Sequence, residues 1–504
     1  MHRPFTDWVI SPVRAAGTVH SLSHVTDRVL TGHSPRTLSY DLIAIGSGPA
    51  GRGAAVQAAK LGKRAAVVER QGVLGGGSTN TGTVPSKTMR AAIVELTGAA
   101  PGVYGPGYRV KRELTTDDLL WRTQQVIEHE QEAIQDELRR HRVDVLTGTA
   151  SFVDAHTVQI ISEDDRRVAS AERFVIAAGT KPLRPSGVDF DERIVLDADG
   201  ILRLSSIPQT LTIVGASVFG LEYASMAAAL GTKVTLVDRR PHLPDFVDDE
   251  IVEALRYHVA GLGVVFRLGD EVEAVERTPA GVVTSLRSGE QIRSELVLYA
   301  AGRHGATREL DLAAAGLEAE DCGRIAVGRD FRTAQHHILA AGDVIRFPGI
   351  GFPSLAATAM EQGRLAALAA FGEPSSRPAL LPYGIFTIPE ISFVGSHERK
   401  LTESQVPYVR GLARYRELTR GEIAGDRSGF LKLLVHAQTR RVLGVHIFGT
   451  AAAELIHVGQ TVMAASLTVD YLLDAVFNVP SFADAYKAAA LDAANRLSEI
   501  RRRA

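Results

Sequence analysis

The chain has 504 residues, of which 45% are hydrophobic and 23% are charged, as expected for a globular protein with sizeable cores and roughly three domains. Its formal net charge of −2 provides no broad basic surface for nucleic acid, and no apolar run approaches the ~18 residues of a membrane span. The only cysteine, Cys322, excludes an intramolecular disulfide and a cysteine-based metal cluster, so we predict no metal site and a reducing, cytoplasmic location.

Residues 1–38 match no pattern of a folded domain. The early charged residues are not followed by the apolar core, roughly 7–15 residues long, of a secretory signal. We predict that this segment is a disordered extension, or that the translation start has been placed too far upstream. A targeting role is the lesser alternative.

The first folded segment carries a dinucleotide-binding pattern. An apolar strand, Leu42–Ile45, runs into a G-x-G-x-x-G turn and an alanine-rich helix over 54–61, and the next strand ends on an acid. The glycines allow the backbone to approach a pyrophosphate, and the acid bonds a ribose hydroxyl. We therefore predict a dinucleotide site formed by Gly46, Gly48, Gly51 and Glu69.

The stretch from Gly75 to Lys87 is a glycine run that ends in Thr-Val-Pro-Ser-Lys. It leads into an apolar segment over 88–96, which predicts a loop followed by a helix. Backbone N–H groups at such a helix start can hold a phosphate or the polar edge of a cofactor. The stretch resembles the active-site loop of the flavin disulfide reductases, such as dihydrolipoamide dehydrogenase and glutathione reductase. In those enzymes two cysteines occupy the positions of Ser78 and Thr83.

Hydroxyl groups cannot form a disulfide, so the dithiol half of that chemistry is absent from this chain. The Gly-Gly-Gly start and the Gly82-Thr83 pair are most similar to the soluble pyridine nucleotide transhydrogenase branch of the family. The resemblance implies that FAD occupies the first fingerprint. It also places Gly77, Ser78, Thr83 and Lys87 beside that cofactor.

Two further patterns complete this part of the chain. Residues 115–141 predict a long amphipathic helix that packs on the core. The strand that ends in Ala177-Ala178-Gly179-Thr180 resembles the point at which the family's chain leaves its first domain. The resemblance therefore adds Gly179 to the FAD site.

The dinucleotide pattern then repeats with Gly215, Gly220 and Asp238, and both copies span 23 residues from the first glycine to the acid. The repeat indicates a second dinucleotide site, which the resemblance assigns to NAD(H) or NADP(H). Ser217 replaces the second glycine, and we expect its side chain to crowd the pyrophosphate, which would weaken binding or displace the loop.

Nucleotide choice depends on the residues after the second strand. Asp238 favours the 2′-hydroxyl of NADH, whereas Arg239 or Arg240 could pair with the 2′-phosphate of NADPH. Arg240 is the preferred phosphate partner, because the compared family keeps an arginine there. The alternative is that both arginines are solvated surface residues.

Three later motifs also resemble the family. Gly302-Arg303 follows an apolar strand, and the family places this pair beside the nicotinamide nucleotide. The resemblance implies that Asp343 binds the flavin ribityl chain. It also implies that the helix beginning at Leu355 and Ala356 directs its N-terminus at the flavin pyrimidine, where the helix dipole stabilises negative charge.

From about Leu381 the pattern changes to alternating strands followed by two helices, which resembles the family's dimerisation domain. In the disulfide reductases, a histidine and a glutamate of this domain act as a base in the partner's active site. Val479 and Asp484 occupy those positions here, so the base is missing as well as the thiols. We predict a homodimer or a higher homo-oligomer that binds small-molecule nucleotides, with no nucleic acid or membrane partner.

Lys87 and Glu222 are the predicted catalytic residues. In the family this lysine lies near flavin N5 and pairs with the glutamate after the second glycine motif, and a buried ammonium needs such a partner. Hydride transfer requires no acid or base on the protein, only a nicotinamide placed against the flavin in a dry site.

The predicted fold class is α/β, with two Rossmann-like dinucleotide-binding domains and a C-terminal α+β dimerisation domain. The predicted parts are the extension (1–38), the FAD-binding domain (39–185 and 306–380), the NAD(P)-binding domain (186–305) and the dimerisation domain (381–504).

The preferred function is FAD-dependent hydride transfer between NADPH and NAD⁺. Two alternatives stay open. An NAD(P)H diaphorase or quinone reductase on the same scaffold would also lack the cysteines, and the sequence cannot separate it from a transhydrogenase. A non-catalytic nucleotide-binding or redox-sensing module is opposed by the presence of both fingerprints together with Lys87 and Glu222.

Overall fold

The apolar runs predicted as buried strands form three sheets of five or more strands in the computed structural model. The structure describes residues 38–98, 114–163, 165–346 and 355–503, all within one unit of the chain. Except for Leu38, the predicted N-terminal extension lies outside these residues.

The first part of the chain builds a mixed sheet. Its strands run in the order β3-β2-β1-β6-β5-β4, with β1, β2, β3 and β6 parallel. The elements are β1 (Leu38–Ile45), α1 (Pro49–Lys60), β2 (Ala65–Glu69), α2 (Gly76–Asn80), α3 (Thr83–Thr97), α4 (Thr116–Arg140), β3 (Asp144–Thr147), β4 (Thr149–Asp154), β5 (Thr157–Ile161), β6 (Arg166–Ile176) and β7 (Thr180–Pro182).

The glycine-rich stretch contains more helix than its sequence predicted. Gly75 has a φ of +99°, and the short helix α2 follows it at once. Helix α3 begins at Thr83, five residues before the predicted apolar segment. The long helix predicted over 115–141 is confirmed as α4, where Thr115 and Asp118 form a reciprocal capping box.

The second fingerprint lies in a five-stranded parallel sheet of order β11-β10-β9-β15-β8, beside an antiparallel sheet of β12, β13 and β14. The elements are β8 (Val195–Asp197), β9 (Thr210–Val214), α5 (Val218–Leu230), β10 (Lys233–Asp238), α6 (Asp249–Gly261), β11 (Val265–Leu268), β12 (Val272–Thr278), β13 (Gly281–Leu286), β14 (Gln291–Ser294) and β15 (Leu296–Tyr299).

The chain then returns to the first sheet, where β18 pairs in parallel with the end of β6. Helix α7 packs on α1 at backbone contact, because a Cβ built on Gly363 would lie 1.9 Å from the Ala50 carbonyl oxygen. The elements are β16 (Arg303–Gly305), β17 (Ile325–Ala326), β18 (Ile338–Ala340), β19 (Ile345–Arg346) and α7 (Ala356–Ala370).

The C-terminal part forms an antiparallel sheet of order β20-β21-β24-β23-β22 with helices after it. Three helices follow β24, one more than the two that the sequence predicted. The elements are β20 (Tyr383–Ile385), β21 (Ile391–Gly395), α8 (Glu398–Glu403), β22 (Tyr408–Arg414), α9 (Thr419–Ala424), β23 (Phe430–His436), β24 (Val442–Phe448), α10 (Ala452–Ala464), α11 (Val469–Asp474) and α12 (Asp484–Arg503).

We keep the division into 39–185, 186–305, 306–380 and 381–504 as a proposal. Each helix of the described residues is too short or too polar to cross a bilayer.

A buried lysine joins the C-terminal sheet to the second fingerprint's sheet. The Lys432 ammonium on β23 lies 2.8 Å from Asp248, 3.0 Å from Glu250 and 2.9 Å from Glu398. Burial would lower the pKa of Lys432, but hydrogen bonds to Asp248 and Glu398 raise it above its usual value. These three carboxylates are close enough together to bind a cation, and all three contact this ammonium.

We predict that Lys432→Met lowers the free energy of unfolding by about 3–5 kcal/mol, because it leaves the buried Asp248 without a cation. Arg267→Met is the matched control, since Arg267 pairs with Glu290 at the surface, where an ion pair contributes little. Urea titration followed by circular dichroism measures both. Equal losses in the two variants would contradict the role given to Lys432.

Candidate active site

One cleft collects most of the residues predicted to hold FAD. It opens at the carboxyl ends of the first sheet's parallel strands, where nucleotides bind in open α/β sheets. The predicted residues that line it are Gly46, Gly48, Glu69, Gly77, Ser78, Thr83, Gly179, Asp343 and Ala356. Leu355 is the N-cap of α7, directly before Ala356.

Glycine is needed at the positions of the first fingerprint for different physical reasons. Gly46 has a φ of +110°, and a Cβ built on Gly51 would lie 1.8 Å from the Gly46 carbonyl oxygen, so both are required by the turn. Gly48 has an ordinary φ of −61°, and a Cβ there would meet no atom closer than 3.9 Å. Its missing side chain therefore leaves the floor of the cleft clear, which fits a pyrophosphate.

Glu69 is buried at the end of β2 and organises this turn. One carboxylate oxygen accepts the Ser47 N–H at 3.2 Å and the Ser47 hydroxyl, and the other accepts the Gln71 N–H at 3.0 Å. The Ser47 hydroxyl in turn accepts the Gly75 N–H at 3.0 Å. The fingerprint, Glu69 and the start of the glycine-rich stretch therefore form one hydrogen-bonded unit.

The two positions held by cysteines in the disulfide reductases face the same cleft. Ser78 lies on α2, and Thr83 is the first residue of α3. Asn80 lies between them in sequence, and its amide holds the backbone that precedes Ser78, because it donates to the carbonyl oxygens of Leu74 at 3.0 Å and Gly76 at 2.9 Å. The stretch thus keeps its shape without a disulfide.

Lys87 and Glu222 form the predicted ion pair. The Lys87 Nζ lies 2.7 and 2.9 Å from the two Glu222 oxygens. The Glu222 side chain is 1% exposed and that of Lys87 is 23% exposed. The pair joins α3 to α5, and the Phe386 N–H also donates to Glu222 at 2.8 Å.

The second fingerprint repeats the geometry of the first. Gly215 has a φ of +106°, and a Cβ built on Gly220 would lie 1.9 Å from the Gly215 carbonyl oxygen. The Ser217 hydroxyl donates to the Ala300 carbonyl oxygen at 2.8 Å and accepts the Gly220 N–H at 3.3 Å. The hydroxyl therefore caps the start of α5 and is held by the backbone directly after β15, which explains how a serine fits there.

Asp238 corresponds to Glu69 but has different partners. It accepts the Ala216 N–H at 2.6 Å, and the Arg240 guanidinium binds both of its oxygens at 2.8 and 3.0 Å. Burial would raise the pKa of Asp238, but the hydrogen bonds from Arg240 and Ala216 lower it below its usual value. Both predicted arginines are exposed, and it is Arg240 that pairs with Asp238.

Arg303 is one of the charged residues that line the cleft. It donates to the Thr180 hydroxyl at 2.9 Å and carbonyl oxygen at 3.0 Å, and it pairs with Asp199 at 3.0 Å. All three residues line the cleft. Gly302, with a φ of +143°, precedes Arg303 and accepts the Leu183 N–H at 2.9 Å.

Sequence reasoning missed several residues that shape the site. Ser47 stands at an unspecified position of the G-x-G-x-x-G pattern, and Asn80 at a position of the glycine-rich stretch to which the motif assigns no residue type. Gln362, which accepts the Gly342 N–H before Asp343 at 2.8 Å, and Phe386 act across distant parts of the chain.

Comparison with known families agrees with this geometry. The profile of the pyridine nucleotide-disulphide oxidoreductases matches residues 40–363. The dimerisation-domain profile of the same family matches residues 381–490.

The chain is similar to proteins named soluble pyridine nucleotide transhydrogenase. It is 53% identical over 466 residues to one from Mycobacterium tuberculosis, covering 92% of this chain and 98% of that protein. It is 42% identical over 471 residues to one from Colwellia psychrerythraea, covering 92% and 99%.

Two solved structures have a similar fold. LpdA from Mycobacterium tuberculosis superposes with a TM-score of 0.82 at 26% identity, covering 90% of this chain and 99% of that one. The HOCl-induced flavoprotein disulfide reductase RclA from Escherichia coli gives 0.80 at 25% identity with the same coverage.

We predict that Glu69→Gln raises the dissociation constant for FAD about ten- to a hundredfold, because it removes a charged acceptor from the turn and the ribose. Glu309→Gln is the control, since Glu309 also lines the cleft but is half exposed and paired with Arg70. FAD titration of the apoprotein, followed by flavin fluorescence, measures both constants. If the two substitutions weaken binding equally, Glu69 has no special role.

Proposed function

The chain belongs to the pyridine nucleotide-disulphide oxidoreductase family, and on that premise we propose that it is an FAD-dependent NAD(P)⁺ transhydrogenase. It moves hydride between NADPH and NAD⁺ without a redox-active disulfide. The observation that carries this proposal is that Ser78 and Thr83 face the cleft at the thiol positions while the Lys87–Glu222 pair is intact.

Without thiols, both nucleotides must use the same face of the cofactor in turn. FAD, when bound, supplies the group that takes hydride from one nicotinamide and gives it to the next. Glu69, Gly48 and Asp343 would hold it in the cleft, and the N-terminus of α7 would stabilise negative charge there.

The chain's contribution to the transfer is orientation and charge. Hydride transfer depends on close, aligned reactants in a dry site. We assign Lys87 the role of placing an ammonium beside the reacting edge of the flavin. Glu222 is the counter-ion that allows this ammonium to lie mostly out of water. Neither residue exchanges a proton in this scheme.

Gly215, Gly220 and Gly302 would hold the nicotinamide nucleotide. We propose that Asp238 receives the ribose 2′-hydroxyl of NADH and that Arg240 turns from Asp238 to the 2′-phosphate of NADPH. Arg239, exposed beside it, is the second phosphate candidate. Both nucleotides then bind, with NADH favoured or near parity.

The diaphorase or quinone reductase alternative is not favoured. Relatives that match more than nine-tenths of this chain are named transhydrogenases, and no contact among the described residues points to a quinone. We include the cytoplasmic location in the proposal.

We also propose that the enzyme is a homodimer. The dimerisation-domain profile covers residues 381–490. That region exposes five large apolar side chains, and three of them lie close together in sequence: Tyr471, exposed by 51%, Val476 by 95% and Val479 by 63%. A partner surface would bury such a patch.

Val476→Asp should therefore reduce the mass in solution from two copies to one, because a charge at a buried contact is costly. Val153→Asp, at another exposed valine, is the control. Light scattering after size exclusion measures the mass, and a dimer unaffected by Val476→Asp argues against this surface.

Nucleotide choice is tested by anaerobic stopped-flow reduction of the bound flavin. Arg240→Ala should raise the dissociation constant for NADPH about ten- to a hundredfold, because the phosphate loses a charge-assisted bond. It should change the dissociation constant for NADH by no more than a few-fold. Asp238→Asn should strengthen NADPH binding, because it removes the negative charge that repels the 2′-phosphate and frees Arg240.

Arg239→Ala is the comparison that separates the two arginines. If Arg239→Ala weakens NADPH binding more than Arg240→Ala does, the assignment of Arg240 as the phosphate partner is wrong. If NADPH cannot reduce wild-type flavin at all, the transhydrogenase proposal itself fails and a diaphorase takes its place.

A further inference from the structure

The segment Phe386–Glu390, which follows β20, lies against α3 and α5 at the Lys87–Glu222 pair. On α5 it bonds two residues one turn apart. The Phe386 N–H donates to Glu222 at 2.8 Å, and the Ile388 N–H donates to the Ser225 hydroxyl at 3.0 Å. The Ser225 hydroxyl itself donates to the Glu222 carbonyl oxygen at 2.8 Å.

The same segment grips α3 one turn beyond Lys87. Arg90 donates from Nε to the Thr387 carbonyl oxygen at 2.9 Å, and its guanidinium pairs with Glu390 at 3.1 Å. The side chains of this second ion pair are only 14% and 15% exposed. The segment therefore has little freedom to move relative to Lys87.

This arrangement fixes Phe386 against the ammonium of Lys87. The Lys87 Nζ lies 5.1 Å from the centre of the Phe386 ring, over its face. Within about 6 Å, the negative face of an aromatic ring attracts a cation. The ammonium is thus bounded by the Glu222 carboxylate, the Ser86 hydroxyl at 3.2 Å and the ring.

We infer that Phe386 is a positioning residue for hydride transfer, acting through Lys87. Its N–H fixes one oxygen of Glu222, and its ring fixes the ammonium that this carboxylate holds. Lys87 has several rotatable bonds and would otherwise sample other positions. This inference rests on the proposed function, because it gives Lys87 its role beside the flavin.

The test replaces Phe386 by phenylalanine carrying one, two and three ring fluorines. Fluorination weakens the negative face of the ring while its shape stays nearly constant. Anaerobic stopped-flow reduction of the bound flavin by NADPH gives the limiting rate constant and the nucleotide dissociation constant separately. We expect the rate constant to fall stepwise with fluorine number, by about three- to thirtyfold in all, with FAD content and nucleotide affinity unchanged.

Phe386→Leu keeps the backbone N–H, and its limiting rate constant should fall at least as far as that of the trifluoro variant. Phe386→Tyr should retain the wild-type rate constant. Phe393→Leu is the matched control, because Phe393 stacks on Tyr383 instead of on a lysine. In a Lys87→Met background the fluorine series should become flat, since the cation is gone. A merely structural ring would not show that loss of dependence.

A rate constant that stays constant along the fluorine series with Lys87 present overturns the inference. So does an equal slope in the Lys87→Met background. If NADPH fails to reduce wild-type flavin but NADH succeeds, the transhydrogenase proposal fails instead, and the series read with NADH still tests Phe386.

Discussion

The buried carboxylate of Glu222 is the constraint to which the rest of the site conforms. At 1% exposure its charge must be matched where it lies, because an unpaired buried charge costs several kcal/mol. Lys87 from α3 and the Phe386 N–H from the C-terminal part supply that match. Three stretches that are far apart in sequence are thereby held together, and these contacts hold the Lys87 ammonium in one position.

The two dinucleotide turns share one backbone design but differ in the partners of their carboxylates. In both, the carboxylate at the end of the second strand accepts the N–H of the residue after the first glycine. Glu69 completes its bonding with the neutral hydroxyl of Ser47, whereas Asp238 is bound by the Arg240 guanidinium. In the proposed function, this cation would suit an exchangeable nucleotide that sometimes carries a phosphate. A neutral partner suits a cofactor that stays.

The sequence was most informative where local chemistry dictates structure. Apolar runs next to glycine turns predicted β1, β6 and β15, and the Lys87–Glu222 contact is confirmed by the structure. It was least informative where contacts join distant segments. The Ser217 hydroxyl is bound by Ala300, which directly follows β15 and lies 83 residues away, so the crowding predicted for this serine could not be judged from the turn alone. Phe386 has no motif, and only folding reveals what it faces.

The most direct measurement is anaerobic steady-state turnover with NADPH as donor and thio-NAD⁺ as acceptor, with neither oxygen nor quinone present. Because one site serves both nucleotides in turn, the enzyme should form thio-NADH, and plots at several fixed donor concentrations should give the parallel lines of ping-pong kinetics. If NADPH bleaches the flavin but no thio-NADH forms, and the flavin is reoxidised only when a quinone is added, the electrons go to another acceptor, and hydride exchange between nucleotides is not what this chain does.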